Sequence, residues 1–117
     1  MVVAGDLVAV SGCAPTNPDG SSAGGADPYL QARACLDVIE NALGQAGCTL
    51  ADVFRTRMFL TRALDWEEVG RAHGEVFAAN PPASTMVVVK ELLRPEWVVE
   101  IEADAVLPAG LRSIAGV

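Results

Sequence analysis

Glu100, Cys13, His73 and Ser84 are the side chains of this 117-residue chain whose types could serve a reaction. A strand carboxylate such as Glu100 can orient a water and pass a proton; its plainer role is to pair with Arg55 or Arg57. Cys13 is a nucleophile only if something lowers its pKa; otherwise it fills a turn, the reading favoured here. His73 is the single histidine, with an intrinsic pKa near neutrality. Its place on an apolar stripe favours burial over acid–base work. Ser84 has no histidine beside it and no Gly-x-Ser-x-Gly elbow, so it reads as a short hydroxyl.

The other candidates are poorer still. The three cysteines are an odd number without CxxC spacing, which does not make a disulfide framework. Cys35 and Cys48 read as core. No cluster supplies the roughly four N, S or O ligands of a zinc site, so neither a metal nor any other cofactor is expected. A net charge of −7 argues against a nucleic-acid partner, because phosphate binding draws on clustered Lys and Arg. It disfavours an anionic membrane surface equally. No apolar run approaches the roughly 20 residues of a membrane span, and the first residues lack the basic start of a secretion signal. A cytoplasmic location is the expectation.

These residues need elements to hold them. Hydrophobic residues make up 51% of the chain, too many for disorder, and the length suits one domain. Residues 1–4 and 7–10 read as a hairpin, followed by a loop over 11–26 with its Asn17-Pro18-Asp19-Gly20 turn. Asp27 caps a first helix and Pro28 suits its first turn. Ala32, Cys35, Leu36, Ile39, Leu43 and Ala46 share one face of it, and Gly47 ends it.

Residues 54–60 alternate as a strand, with Phe54, Thr56, Met58 and Leu60 on one side and Arg55, Arg57 and Phe59 on the other. Asp65 is expected to cap a second helix carrying a Trp66, Val69, His73, Val76 and Phe77 stripe, stopped by Asn80-Pro81-Pro82. Trp66 and Trp97 read as core or interface anchors. Strands over 85–90 and 97–107 follow, with a turn at Arg94-Pro95-Glu96 between them. The fold class is α+β: one mixed sheet with two helices on one face. The last strand turns Trp97, Val99, Ile101, Ala103 and Ala105 to the helices and Val98, Glu100, Glu102, Asp104 and Val106 away. Arg55 and Arg57 could offset those acids across strands, leaving a face of paired charges and valines suited to a subunit interface. The expected layout is a domain over 1–107 and a C-terminal tail over 108–117.

Pro81-Pro82-Ala83-Ser84-Thr85, Val99-Glu100-Ile101-Glu102-Ala103 and Val10-Ser11-Gly12 together resemble the signature of the RidA/YjgF family. Gly5-Asp6-Leu7, Gln31-Ala32, Ala46-Gly47, Leu50-Ala51-Asp52-Val53, Thr61 and Phe77 fall in the same order, so the resemblance spans residues 4–106. It implies a chorismate-mutase-like fold and a homotrimer with a small-molecule cleft between each pair of subunits. In the family's deaminases that cleft hydrolyses enamines or imines. An arginine grips the substrate carboxylate, backbone groups assist, and a glutamate positions or activates water. Carried over, the resemblance makes Glu100 the catalytic residue. Ser11, Gly12, Cys13, Ser84 and the backbone at Met86 become the substrate-binding residues.

Two departures qualify this. Ser84 stands where the family's deaminases have the arginine, and a hydroxyl cannot supply a charged bidentate fork. Each charge-assisted hydrogen bond is worth about 1.5–3 kcal/mol, so carboxylate binding should suffer. By the same resemblance, the N-terminal aromatic that closes the cleft in many relatives is expected to have no counterpart among these residues. The first expectation is a divergent, deaminase-like hydrolase acting on a small, less acidic or uncharged metabolite. The alternative is a non-catalytic metabolite-binding or interaction trimer. Endoribonuclease activity is disfavoured by the acidic charge, and chorismate mutase activity by the lack of cations for a dianion.

Overall fold

A computed structural model of the chain describes residues 1–111; residues 112–117 of the expected tail lie outside it. Strands β1 (Val2–Ala4) and β2 (Leu7–Cys13) form a hairpin, and helix α1 spans Pro28–Gln45. Strand β3 (Val53–Leu60), helix α2 (Trp66–Val76), and strands β4 (Ala83–Val88) and β5 (Val99–Val106) complete the fold. The five strands form one sheet in the order β1-β2-β5-β3-β4. Only the β3–β4 pair is parallel, which suits the helical crossover through α2. The mixed sheet with two helices is the architecture the sequence predicts.

Both helices lie on one face. Asp27 caps α1 as its type suggests: the carboxylate accepts from the amides of Tyr29 and Leu30 at 2.9 and 3.2 Å. The predicted apolar face of α1 then buries Cys35, Leu36, Ile39 and Leu43 against Val99, Ile101, Ala103 and Ala105 of β5. Burial of each large aliphatic side chain contributes about 1.5–3 kcal/mol. Gln31 is buried among them and accounts for its polar atoms fully. Its amide nitrogen donates to the carbonyls of Gly25 and Glu96, and its oxygen accepts from the Val98 amide at 2.8 Å. One buried side chain thus ties the 11–26 segment to the entry of β5.

Several expectations need correction. β2 runs on to Cys13 instead of yielding to a loop at Ser11, because a register shift between Val10 and Cys13 keeps the chain paired with β5. A second shift between Val53 and Arg55 changes the phase of β3, so Val53 is buried and Phe54 exposed. Asp65 makes no capping bond; its buried carboxylate takes two hydrogen bonds from the Arg62 guanidinium, at 2.9 and 3.0 Å. Trp66 is 59% exposed and leaves the α2 stripe, where Val69, His73 and Phe77 are buried. β4 begins at Ala83 and ends at Val88, and β5 begins at Val99 beyond a half-buried Trp97. No helix among the described residues is long and apolar enough to cross a membrane.

Candidate functional site

Alternation in β5 sends Glu100, Glu102 and Asp104 to the face away from the helices, since Val99, Ile101, Ala103 and Ala105 between them are buried. Paired residues in neighbouring strands share a face, so the register fixes what surrounds each acid. Arg57 lies opposite Glu102, and its Nη1 donates to Glu102 Oε1 and Asp104 Oδ2, both at 3.2 Å. The predicted cross-strand pairing is therefore present for those two acids. It does not extend to Glu100. Among the described residues no side chain makes an ion pair with Glu100, and the residue opposite it is Phe59.

What Glu100 meets instead is glycine. Its carboxylate lies over Gly12, where an added Cβ would sit 2.8 Å from Oε2 and 3.0 Å from Cδ. Gly12 is thus at the carboxylate, with Ser11 its chain neighbour. Phe59, and Val87 beside it on β4, complete an apolar flank on the same face. Neither was singled out from sequence as a site residue. Phe59 did fall on the correct side, but only the β3–β5 register puts it across from Glu100.

Cys13 is next to this niche but turned from it. It pairs with Ile101 and packs on the helix-side core, and its Sγ donates to the Ser11 carbonyl at 3.3 Å. Burial first, and the nearby Glu100 charge second, push the Cys13 thiol above its usual range, against a smaller opposing pull from the N-terminal ammonium. The group stays a thiol near neutrality and is a poor nucleophile. Cys35 is pushed up further, chiefly by burial, and donates to the Val99 carbonyl at 3.7 Å.

Ser84 and Met86 are elsewhere. Ser84 pairs with Thr56 and Met86 with Met58, so both side chains leave the sheet on the helix side. Glu100 leaves it on the other side, with β3 intervening. The single chain therefore brings Gly12 and Glu100 together and does not bring Ser84 or Met86 to them. β4 is an edge strand whose Ser84, Thr85, Val87 and Val88 are exposed on both faces.

His73 plays no part here. It is buried, shares a 2.7 Å hydrogen bond between Nε2 and Thr56 Oγ1, and packs on Phe77 with ring centroids 4.7 Å apart. Burial lowers its pKa. This is the core role its apolar stripe favoured. Among the described residues no cluster of His, Cys, Asp and Glu could hold a metal ion.

A two-helix layer on a five-stranded mixed sheet, with a glycine-backed carboxylate on its open face, defines a small α+β protein. Residues 1–107 match the family model described as Endoribonuclease L-PSP, so the chain belongs to that family, the RidA/YjgF proteins. The crystal structure of Rv2704 from Mycobacterium tuberculosis, a member of the YjgF/YER057c/UK114 family, superposes with a TM-score of 0.80 at 44% identity, covering 90% of this chain and 82% of that one. The uncharacterized protein SCO2049 of Streptomyces coelicolor is 34% identical over 89% of this chain and 77% of its own length. The 3-aminoacrylate deaminase RutC of Acinetobacter baylyi is 30% identical over 87% of this chain and 80% of its own.

Proposed function

We propose that this protein is a divergent hydrolase of small imines or enamines, acting in the cytoplasm as a homotrimer with its clefts between subunits. The observation that carries the proposal is the Glu100 carboxylate. It is seated on Gly12 without an ion-pair partner, while Arg57 engages its two neighbours Glu102 and Asp104. A carboxylate left free beside an apolar flank can accept a proton from water and deliver it to a substrate nitrogen. In the step we envisage, the water oxygen bonds to the imine carbon and one water proton passes through Glu100 to nitrogen, giving a carbinolamine. Glu100 then carries the remaining hydroxyl proton to the amine as the carbon–nitrogen bond breaks, leaving a carbonyl and ammonia.

The likeness to a 3-aminoacrylate deaminase supports this class of reaction. Assembly is supported by the geometry of the single chain: Ser84 and Met86 can join Glu100 only if a second copy brings its β4 edge to the open face. Ser84 supplies a hydroxyl and no charge, so the substrate we favour is weakly acidic or neutral.

Ammonia release from a panel of small imines, compared between the protein and Glu100→Gln, tests the reading. A loss of about 10²-fold or more is expected; equal rates for every substrate turned over would sink it. The absence of a cation at position 84 also favours a second reading, a non-catalytic metabolite-binding trimer. Tight binding of a small ligand without any turnover would favour that alternative. Ribonuclease activity, suggested by the family description, fits poorly with a charge of −7.

A further inference from the structure

A cavity of about 500 Å³ lies under the segment joining β4 to β5, its wall formed by Thr61, Lys90, Glu91, Arg94, Trp97 and the apolar residues between them. Few cations among the described residues lack an ion-pair partner. Among the described residues Arg33, Arg57, Arg62 and Arg71 each hold a carboxylate. Arg55, Lys90 and Arg94 make no ion pair, and two of these three line this one cavity. Glu91 is the one carboxylate on the wall, so the lining carries a net positive charge within a protein of −7.

Arg94 is placed rather than loose. Its guanidinium lies 5.1 Å from the Trp97 ring centroid, and Nη1 donates to the Gly20 carbonyl at 3.4 Å. Trp97 is in turn fixed, its Nε1 donating to Ser22 Oγ at 3.1 Å while Ser22 Oγ donates to Glu96 Oε2 at 2.8 Å. A guanidinium has five N–H donors, and Arg94 has one of them engaged in this way. Around the two cations the wall is apolar: Leu92, Pro95, the Trp97 ring and Leu93, which is 94% exposed at the rim.

We propose that this cavity binds a small organic anion, a carboxylate or phosphate joined to an apolar body. Lys90 and Arg94 hold the charge, and Leu93 and Trp97 hold the body. The site needs no contribution from Ser84 and stands independently of the Glu100 reading, since anion binding and turnover are measured separately. It gives a cationless position 84 a counterpart elsewhere in the same chain.

Nuclear magnetic resonance titration of the whole protein with benzoate, phenyl phosphate and the neutral isostere benzamide tests it. Benzoate or phenyl phosphate should shift the Trp97 indole and the amides of Thr61, Leu92 and Leu93. The stronger of the two names the anionic group. Benzamide should bind about tenfold more weakly, and Lys90→Gln with Arg94→Gln should weaken the anions by at least that much. Lys90→Gln alone changes an exposed side chain and provides a folded control with a partial loss. The proposal is overturned if the double variant binds benzoate equally, if benzamide matches benzoate, or if the shifts fall elsewhere or never appear.

Discussion

The Glu100 carboxylate and the Gly12 backbone occupy each other's space: a methyl group on Gly12 would stand 2.8 Å from Glu100 Oε2, well inside van der Waals contact. Gly12 does not have a positive φ, so its backbone accepts alanine. The clash falls on the tip of a flexible side chain, which can swing away at little cost. Gly12→Ala should therefore change the melting temperature by no more than about 4–8 °C, the equivalent of roughly 1 kcal/mol. It should also displace Glu100. Misplacement of a reacting group by about 1 Å can cost 10²-fold in rate, so Gly12→Ala should lose most of any turnover that Glu100→Gln loses. Thermal unfolding alongside ammonia release separates the two effects. A fully active Gly12→Ala protein would show that the niche does not position Glu100.

How far the sequence foretold this site depends on the range over which each residue's role is decided. Asp27 was readable because an N-cap needs only the next three amides. The Arg57 bridge to Glu102 and Asp104 was half readable: alternation put the acids on one face, but which acid stays free depends on β3–β5 register. Phe54 shows how alternation fails. One extra residue at the start of β3 reverses the phase, and nothing local in Val53-Phe54-Arg55 marks it. Asp65 begins a helix as its type suggests, yet Arg62 claims its carboxylate. The separation of Ser84 from Glu100 was the least readable. It follows from the order of three strands, and a motif read along the chain makes the two look like neighbours.

His73 makes the fold sensitive to mild acid. Burial holds its folded-state pKa below the ordinary 6.5. Above that value both folded and unfolded chains carry neutral imidazole, and no stability difference arises. Below it the unfolded chain takes up a proton that the folded core refuses, so stability falls as pH falls from about 6.5 toward the folded pKa. The slope is at most about 1.4 kcal/mol per pH unit for one group. The exposed carboxylates Glu75 and Glu96 have folded pKa values lowered by hydrogen bonding, so their contribution is lost only further down, below about 4.5. As the single histidine, His73 is alone in the window between. Denaturant melts at pH 7, 6 and 5 should show a falling midpoint that His73→Gln flattens. A midpoint equally steep in the variant would assign the acid limb to another group.

Ser84→Arg asks whether charge at one position limits what the cleft accepts. Ser84 is exposed on an edge strand and pairs across it with Thr56. A long side chain can extend into solvent there, and surface substitutions of this kind usually stay within about ±0.5 kcal/mol in stability. In the assembled trimer we propose, the new guanidinium would reach the open face of the adjoining subunit and offer a carboxylate two parallel N–H donors. Two charge-assisted bonds at roughly 1.5–3 kcal/mol each correspond to at least about 10²-fold in carboxylate affinity. Ammonia release from freshly generated 3-aminoacrylate should rise accordingly, mainly through a lower KM, because the fork binds ground state and transition state alike. Glu100→Gln in the same background should abolish the gain. If Ser84→Arg forms a folded trimer and gains nothing, the cleft excludes carboxylates for a reason other than charge at position 84. The apolar flank of Phe59 and Val87 beside Glu100 would then be the next residues to change.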